Sequence, residues 1–379
     1  MRYENARVFG PDFRFHSGGF SVENGRFSHV LEEESGDAVD LDGAIVIPGL
    51  IDIHNHGNSG HDFSDGNAEG LRSIARYLAQ NGVTSFAPTS ATLPEEQLLA
   101  AYQVAAAFAR EEPEGYSVLR GIHMEGPFLS QKKKGAQNET FLIAPDYEMF
   151  LRLNQAANGL VKITDIAPEL PGALDYIERV SKVCRVSIAH TEANYAEAKA
   201  ALAAGVKHIT HLFNAMPPLL HRAPGVIGAA AESPDVMAEL ICDGVHVHES
   251  AVRAAFCMFG ANRLCLISDA LACCGMPEGE YTLGGQRIVV DGTVARLADA
   301  PDTLAGSANN LFGIFRTALS FGIPEEAAVR MASYNPACVL GVENEVGKID
   351  NGMRADFLVL NGDFSLRRVF LAGKELGAN

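Results

Sequence analysis

No stretch of this 379-residue chain approaches the roughly eighteen consecutive apolar residues that a membrane-spanning helix requires. Positive charge is also short: 30 Lys and Arg stand against 47 Asp and Glu, a net charge of −17. Nucleic acid and anionic membrane both demand a basic face to neutralise phosphates, so neither is expected as a partner. A phosphorylated molecule, if one binds, must be held by a few local cations or backbone amides. A disulfide framework is missing too. The seven cysteines are an odd number, and the start Met1-Arg2-Tyr3-Glu4-Asn5 lacks a basic start followed by the apolar stretch of a secretion signal, so reduced thiols in a cytoplasmic protein are the expectation. The vicinal pair Cys273-Cys274 has no second pair at tetrahedral zinc spacing and reads as loop. Internal repeats and low-complexity tracts are absent. What remains, 47% hydrophobic and 20% charged residues, describes an ordinary folded globular protein.

At this length one large barrel-type domain plus a small one is the natural division. Residues 1–48 read as short strands and turns, Ala6-Arg7-Val8-Phe9, Gly19-Phe20-Ser21-Val22 and Gly25-Arg26-Phe27, followed by an acidic stretch from Glu32 to Asp37. Residues 341–379 repeat that style in Gly347-Lys348-Ile349-Asp350, Ala355 to Leu360 and Val369 to Gly373. Both ends are expected to join in one small β-sandwich domain. Between them, over residues 49–340, helix-period stretches alternate with short β-rich runs, the signature of repeated βα units. The helical stretches are 68–81, 94–110, 174–183, 195–204, 250–259 and 309–320, with further start signals at Gly322-Ile323-Pro324-Glu325-Glu326. Several β runs end in an ionisable residue. In a closed (β/α)8 barrel all carboxyl strand ends meet on one face, whereas an open doubly wound sheet would keep the first and late strands apart. The expected fold is therefore an α/β chain with a (β/α)8 TIM-type barrel.

The most informative feature is His54-Asn55-His56 after the apolar run Ala44 to Ile53. On an extended strand alternate residues point to the same side, so two histidines one residue apart can aim both imidazoles at one point. Four more ligand-type residues recur at strand ends: Glu125 after Val118 to Met124, His190 after Val186 to Ala189, His211 after Val206 to Thr210, and Asp269 after Leu264 to Ser268. Together they form a nitrogen and oxygen set suited to zinc, iron, cobalt or manganese. Glu125 has two carboxylate oxygens and could bridge two divalent ions, with His54 and His56 on one and His190 and His211 on the other. Metal binding lowers the pKa of water from 15.7 to about 7. Asp269 would be the proton carrier. The chemistry to expect is metal-assisted hydrolysis.

These residues also carry a resemblance. Pro48-Gly49-Leu50-Ile51-Asp52-Ile53-His54-Asn55-His56-Gly57 resembles the opening strand of the amidohydrolase superfamily, and Gly347 to Asp356 resembles its return into the small β domain. More specific strings are His123-Met124-Glu125-Gly126-Pro127-Phe128, His211-Leu212-Phe213-Asn214-Ala215-Met216-Pro217, Asp243-Gly244-Val245-His246 and Leu304-Ala305-Gly306-Ser307. With these the chain is similar, from end to end, to the N-acetylglucosamine-6-phosphate deacetylase family. The resemblance implies an amino-sugar phosphate substrate whose phosphate and sugar are held by Asn214, the backbone at Ala215, Arg222 and His246. It implies that Arg222 comes from the neighbouring subunit of a homodimer. An arginine fork and a histidine suit a dianion that the acidic protein would otherwise repel; the blander readings are a solvated loop arginine and a core histidine. Lys132-Lys133-Lys134, His208 and His221 are left as loop or barrel-rim residues.

The sequence departs from the family pattern in two ways. Some members carry glutamine and asparagine where His54 and His56 stand and bind one metal; keeping both histidines makes room for two, with one or two ions both left open. Where the family commonly has a histidine that contacts the acetyl carbonyl, this chain has Gln137, whose amide can donate a hydrogen bond but cannot be cationic. Other readings are a deacetylase of a related acetamido sugar phosphate such as the galactosamine epimer, an amidohydrolase of a cyclic amide, and a non-catalytic barrel scaffold.

Overall fold

A computed structural model describes residues 1–32 and 36–377. The middle of the acidic stretch from Glu32 to Asp37, and the last two residues of the 341–379 segment, lie outside the described residues. Eight parallel strands run in chain order: Leu50–Asn55, Val83–Ser90, a third in two pieces (Val118–Leu119 and Ile122–Met124), Val161–Ile166, Arg185–Ile188, His208–Ile209, Met237–Ile241 and Leu264–Ile267. Each pairs with the next in parallel register. Closure comes from the last strand meeting the first. The Asp269 N–H donates to His54 O at 2.9 Å, the His56 N–H donates to Ala270 O at 2.9 Å, and Ser268 Oγ donates to Asp52 Oδ2 at 2.6 Å. The barrel is thus a TIM-type (β/α)8 barrel, as the alternation predicts.

Helices cover the barrel because their apolar residues fall on one stripe. In Ala68–Gln80 the buried residues Leu71, Ile74, Ala75, Leu78 and Ala79 recur at helical spacing, and the Asn67 side chain caps the first turn by accepting from the N–H groups of Glu69 and Gly70. Full burial of a side chain such as Leu78 or Ile74 stabilises by about 1.5–3 kcal/mol. The expected helices are present with ends shifted by a few residues, and helices at Tyr147–Ala156, Gly225–Ala231 and Tyr334–Leu340 add to them.

Strands from both chain ends join one sheet, with Ile45–Pro48 pairing Phe357–Leu360 and the amino-terminal hairpin beyond. The sheet curls into a sandwich-like unit: Phe20 meets Phe357 with ring centroids 5.1 Å apart although two strands lie between theirs, and Phe357 stacks on Phe370 at 4.2 Å. One face keeps its own core of Tyr3, Val8, Phe20, Phe27, Phe357 and Phe370, while Phe9, Ile47, Leu358 and Leu360 belong to the barrel core. Gly49 is where sheet becomes barrel. A Cβ there would lie 2.1 Å from Thr84 Oγ1, so the two backbones can approach only around glycine.

The sequence reading passes over one element, a four-stranded antiparallel sheet of Gly279–Leu283, Gln286–Asp291, Val294–Leu297 and Ala300–Ser307. It follows Asp269 directly and packs Leu283, Ile288, Val290, Ala295 and Leu297 onto Leu271 and Ala136 beside the barrel mouth.

Candidate metal centre

Alternation on the first strand places Asp52, His54 and His56 on the same side, facing the barrel axis. Glu125 follows the third strand, and His190, His211 and Asp269 each stand two residues beyond the fifth, sixth and eighth. These last three adopt left-handed backbone, with φ of 43°, 31° and 48°, a conformation that costs non-glycine residues of order 1–3 kcal/mol each and turns their side chains inward from the strand ends.

The six residues predicted as ligands and proton carrier all converge. Glu125 Oε1 lies 3.2 Å from His190 Nε2, 3.2 Å from His211 Nε2 and 3.5 Å from His54 Nε2, while its Oε2 lies 3.2 Å from His56 Nε2. Asp269 Oδ1 lies 3.5 Å from His54 Nε2 and 3.4 Å from His56 Nε2. Their ligand atoms form two compact groups, His54, His56 and Asp269 in one, Glu125, His190 and His211 in the other. All six are buried.

Electrostatics fit a cation here. Burial resists the ionisation of Glu125, but the charge of His54 and the hydrogen bonds of His190, His211 and His56 outweigh it and hold the carboxyl well below its ordinary range. For Asp269 burial is again opposed and outweighed by His54 and His56, so its carboxyl sits below the usual value. Conversely, burial disfavours charge on His211 and His56, yet their carboxylate neighbours, led by Glu125 for His211 and Asp269 for His56, raise His211 to about 9 and His56 well above normal. The buried carboxylates demand positive charge at this point. His54 Nε2 is buried with no hydrogen-bond partner among the described residues, and the Nε2 atoms of His190 and His211 approach within 3.0 Å of each other. Four imidazoles and two carboxylates crowded this closely form a nitrogen and oxygen donor set that a divalent ion can satisfy in place of protons on the imidazoles.

Above the centre opens a cavity of about 520 Å³, lined by His56, Glu125, His190, His211 and Asp269 at its floor. Gln137, Asn214, Ala215 and His246, the expected substrate-binding residues, are among those that line it. His246 is oriented by Asp243, whose Oδ2 takes its Nδ1 at 2.7 Å while Oδ1 accepts two backbone N–H groups. Gln137 is more committed than its sequence suggests: its Oε1 accepts from the Thr92 N–H at 2.8 Å and its Nε2 lies 2.5 Å from Glu125 Oε2, leaving one N–H for any ligand. Arg222 does not reach this chain's own cavity; it is exposed, 2.7 Å from His221 on a surface loop.

Several residues near the site were missed or set aside on sequence. Lys132, Lys133 and Lys134 line the cavity, as do Asp302 to Gly306 from the antiparallel sheet. His208, read as a rim or loop residue, is instead fully buried on the sixth strand, its Nε2 3.1 Å from Glu239 Oε1. Below the centre His123, Asp165, Glu239 and Asp52 are also fully buried. Their signal in sequence was inward spacing on strands, which alone resembles any core position. Cys273 and Cys274 are buried and join no group of ligand atoms among the described residues.

A family model described as "Amidohydrolase family" matches residues 45–376. The chain belongs to the amidohydrolase family. It is 36% identical to the N-acetylglucosamine-6-phosphate deacetylase of Vibrio furnissii over 93% of this chain and 88% of that one. It is 32% identical to the N-acetylgalactosamine-6-phosphate deacetylase of Escherichia coli O157:H7 over 88% of each. Among solved structures, a mutant N-acetyl-D-glucosamine-6-phosphate deacetylase from Mycobacterium smegmatis in complex with N-acetyl-D-glucosamine-6-phosphate superposes with a TM-score of 0.94 at 33% identity, covering 100% of this chain and 99% of that one. As an amidohydrolase with these buried groups, the chain takes a divalent metal.

Proposed function

We propose that this amidohydrolase removes acetate from N-acetylglucosamine 6-phosphate, yielding glucosamine 6-phosphate. The observation that carries the reading is the convergence of four imidazoles and two carboxylates on the floor of a sugar-sized cavity, in a chain whose relatives are named for this reaction. His54, His56, Glu125, His190 and His211 would hold the metal, two divalent ions drawn from zinc, iron, cobalt or manganese. Bound there, a divalent ion acidifies water and polarises the acetyl carbonyl. Asp269, on the cavity floor 3.4 Å from His56 Nε2 and with its carboxyl held below the usual value, would accept a proton from the attacking water and return it to the departing amine. Gln137 offers its remaining N–H to the acetyl group. Asn214, the backbone of Ala215 and His246 hold the sugar and phosphate, with the cavity's lysine loop supplying positive charge.

Arg222 completes the phosphate site from the neighbouring copy in a homodimer, a role supported by its distance from its own cavity and by the exposed Leu219 and Leu220 beside it. The division into a small β domain of residues 1–48 and 341–379 and a barrel of 49–340 rests on the shared terminal sheet. The protein acts in the cytoplasm on a small molecule. A second reading, favoured by the E. coli relative, is the galactosamine epimer as substrate. The deciding experiment measures acetate release from both 6-phosphates and both plain sugars, with metal content determined on the same sample. Fast release from N-acetylglucosamine 6-phosphate alone supports the proposal. Faster release from the epimer reassigns the sugar, and equal rates with and without phosphate remove the phosphate site.

A further inference from the structure

Beneath the cavity, out of reach of any substrate, lies a carboxylate that touches two of the six converging residues. Glu239 stands on the seventh strand with no solvent exposure. Its Oε2 lies 2.9 Å from His54 Nδ1 and 3.1 Å from the backbone nitrogen of His211; its Oε1 lies 3.1 Å from His208 Nε2. His123, which packs edge-on against His54 at 4.6 Å, is held elsewhere, by Ile53 O and Asp165, and its Nδ1 stays 3.8 Å from Glu239.

An ionised carboxylate only accepts hydrogen bonds, so each of these contacts assigns a hydrogen to its partner. His54 must donate from Nδ1. That leaves Nε2, the atom that faces Glu125 and Asp269 and lacks a hydrogen-bond partner, as the one nitrogen whose lone pair can be offered to an ion. The same oxygen takes the N–H of His211, whose φ of 31° needs an anchor to persist. A buried charge is costly unless its partners compensate, and here they are a ligand side chain, a ligand backbone and one further histidine. We propose that Glu239 is the positioning residue of the metal centre, setting the tautomer of His54 and thereby the affinity for the ion held by His54 and His56. The inference rests on the reading of those histidines as ligands. It adds the reason that His54 binds through Nε2.

The test uses full-length protein stripped of metal and titrated with Co²⁺ or Zn²⁺ against a chromophoric chelator. Carboxylate partners of ligating histidines typically change metal affinity about ten- to hundredfold, and Glu239→Gln should weaken the weaker-held ion by that range. In a His54→Gln background the same Glu239→Gln change should alter affinity by no more than about twofold, because its route of action is gone. His208→Gln, which removes the partner outside the centre, should leave ion affinity near wild type. Wild-type affinity in Glu239→Gln, or an equal loss in both backgrounds, would overturn the proposal. Should Glu239→Gln fail to fold, ¹⁵N-histidine NMR of the zinc-loaded wild type decides: coordination of His54 through Nε2 with a retained Nδ1–H supports the role, and coordination through Nδ1 overturns it. A wild-type protein that takes up no ion would instead bring down the underlying reading of the centre.

Discussion

At the scale of single residues, two buried carboxylates with opposite environments make contrasting predictions. Asp269 is surrounded by imidazoles that keep it ionised, and its proposed work is proton transfer. Positioned proton transfer contributes about 10²–10⁴-fold, so Asp269→Asn should lower acetate release by that factor while metal analysis still finds bound ion; unchanged turnover would remove the assigned role. Asp62 has the reverse situation. Its Oδ1 caps the Ser64 N–H at 2.7 Å, but its Oδ2 is buried without a partner among the described residues, and burial raises its carboxyl to about 6. The raised value means that the fold disfavours the charged form. Stability from this group is complete below its unfolded value of 3.8 and is lost as the pH rises through about 6. Asp62→Asn keeps the cap and removes the charge, so it should gain up to about 3 kcal/mol at pH 8. Calorimetry from pH 8 to pH 5 should show that gain shrinking; a gain independent of pH would mean that the charge is not its source.

At the scale of elements, helix Tyr195–Ala204 illustrates how local rules position the site's surroundings. Asn194 accepts from the N–H groups of Ala196 and Glu197, and Glu197 Oε2 accepts the Asn194 N–H at 2.8 Å, a reciprocal cap four residues after His190. Asn194→Ala should cost about 1 kcal/mol in urea unfolding and leave metal content unchanged. This helix was legible in the sequence as a helix-period stretch over 195–204, and the structure adds the cap at Asn194 and the stop at Gly205. The antiparallel sheet over the cavity was not. In Gln286–Asp291 the buried Ile288 and Val290 alternate with exposed Arg287, Val289 and Asp291, a pattern too short to distinguish from loop until its pairing partners are known. His208 was misjudged for a related reason. A strand of two residues, His208–Ile209, carries too little periodicity to say which side chain faces the barrel axis.

For the whole molecule, the proposed ligands come from the first strand and three other strand ends, the third, fifth and sixth, so an ion bound among them would tie the barrel across its axis. Anything that binds the native state alone stabilises it by mass action, about 2.7 kcal/mol when free ligand is a hundredfold above its dissociation constant. A chelator should therefore lower the thermal midpoint, and added divalent ion should restore it; an unchanged midpoint at full metal removal would contradict that coupling. The acidic surface, net −17, makes the local placement of cations decisive for an anionic substrate. If Arg222 serves the neighbouring copy's cavity, Arg222→Ala should raise KM for the phosphorylated sugar roughly tenfold or more with little change for the plain sugar. Equal effects on both would place the arginine outside the phosphate site. No helix among the described residues is long and apolar enough to cross a membrane.

The sequence by itself determined the repeated βα order, the pairing of both chain ends and the six residues that converge. Each follows from short-range regularities: strand and helix periods, caps, and ligand-type side chains at the ends of apolar runs. Only the tertiary structure decided which nitrogen of His54 is free, that Gln137 is engaged by Thr92 and Glu125, and that Glu239 and His208 lie under the centre. Those facts depend on side chains from strands far apart in sequence, such as His54 and Glu239, meeting inside a closed barrel. A linear pattern records that each faces inward, and barrel closure settles what it faces.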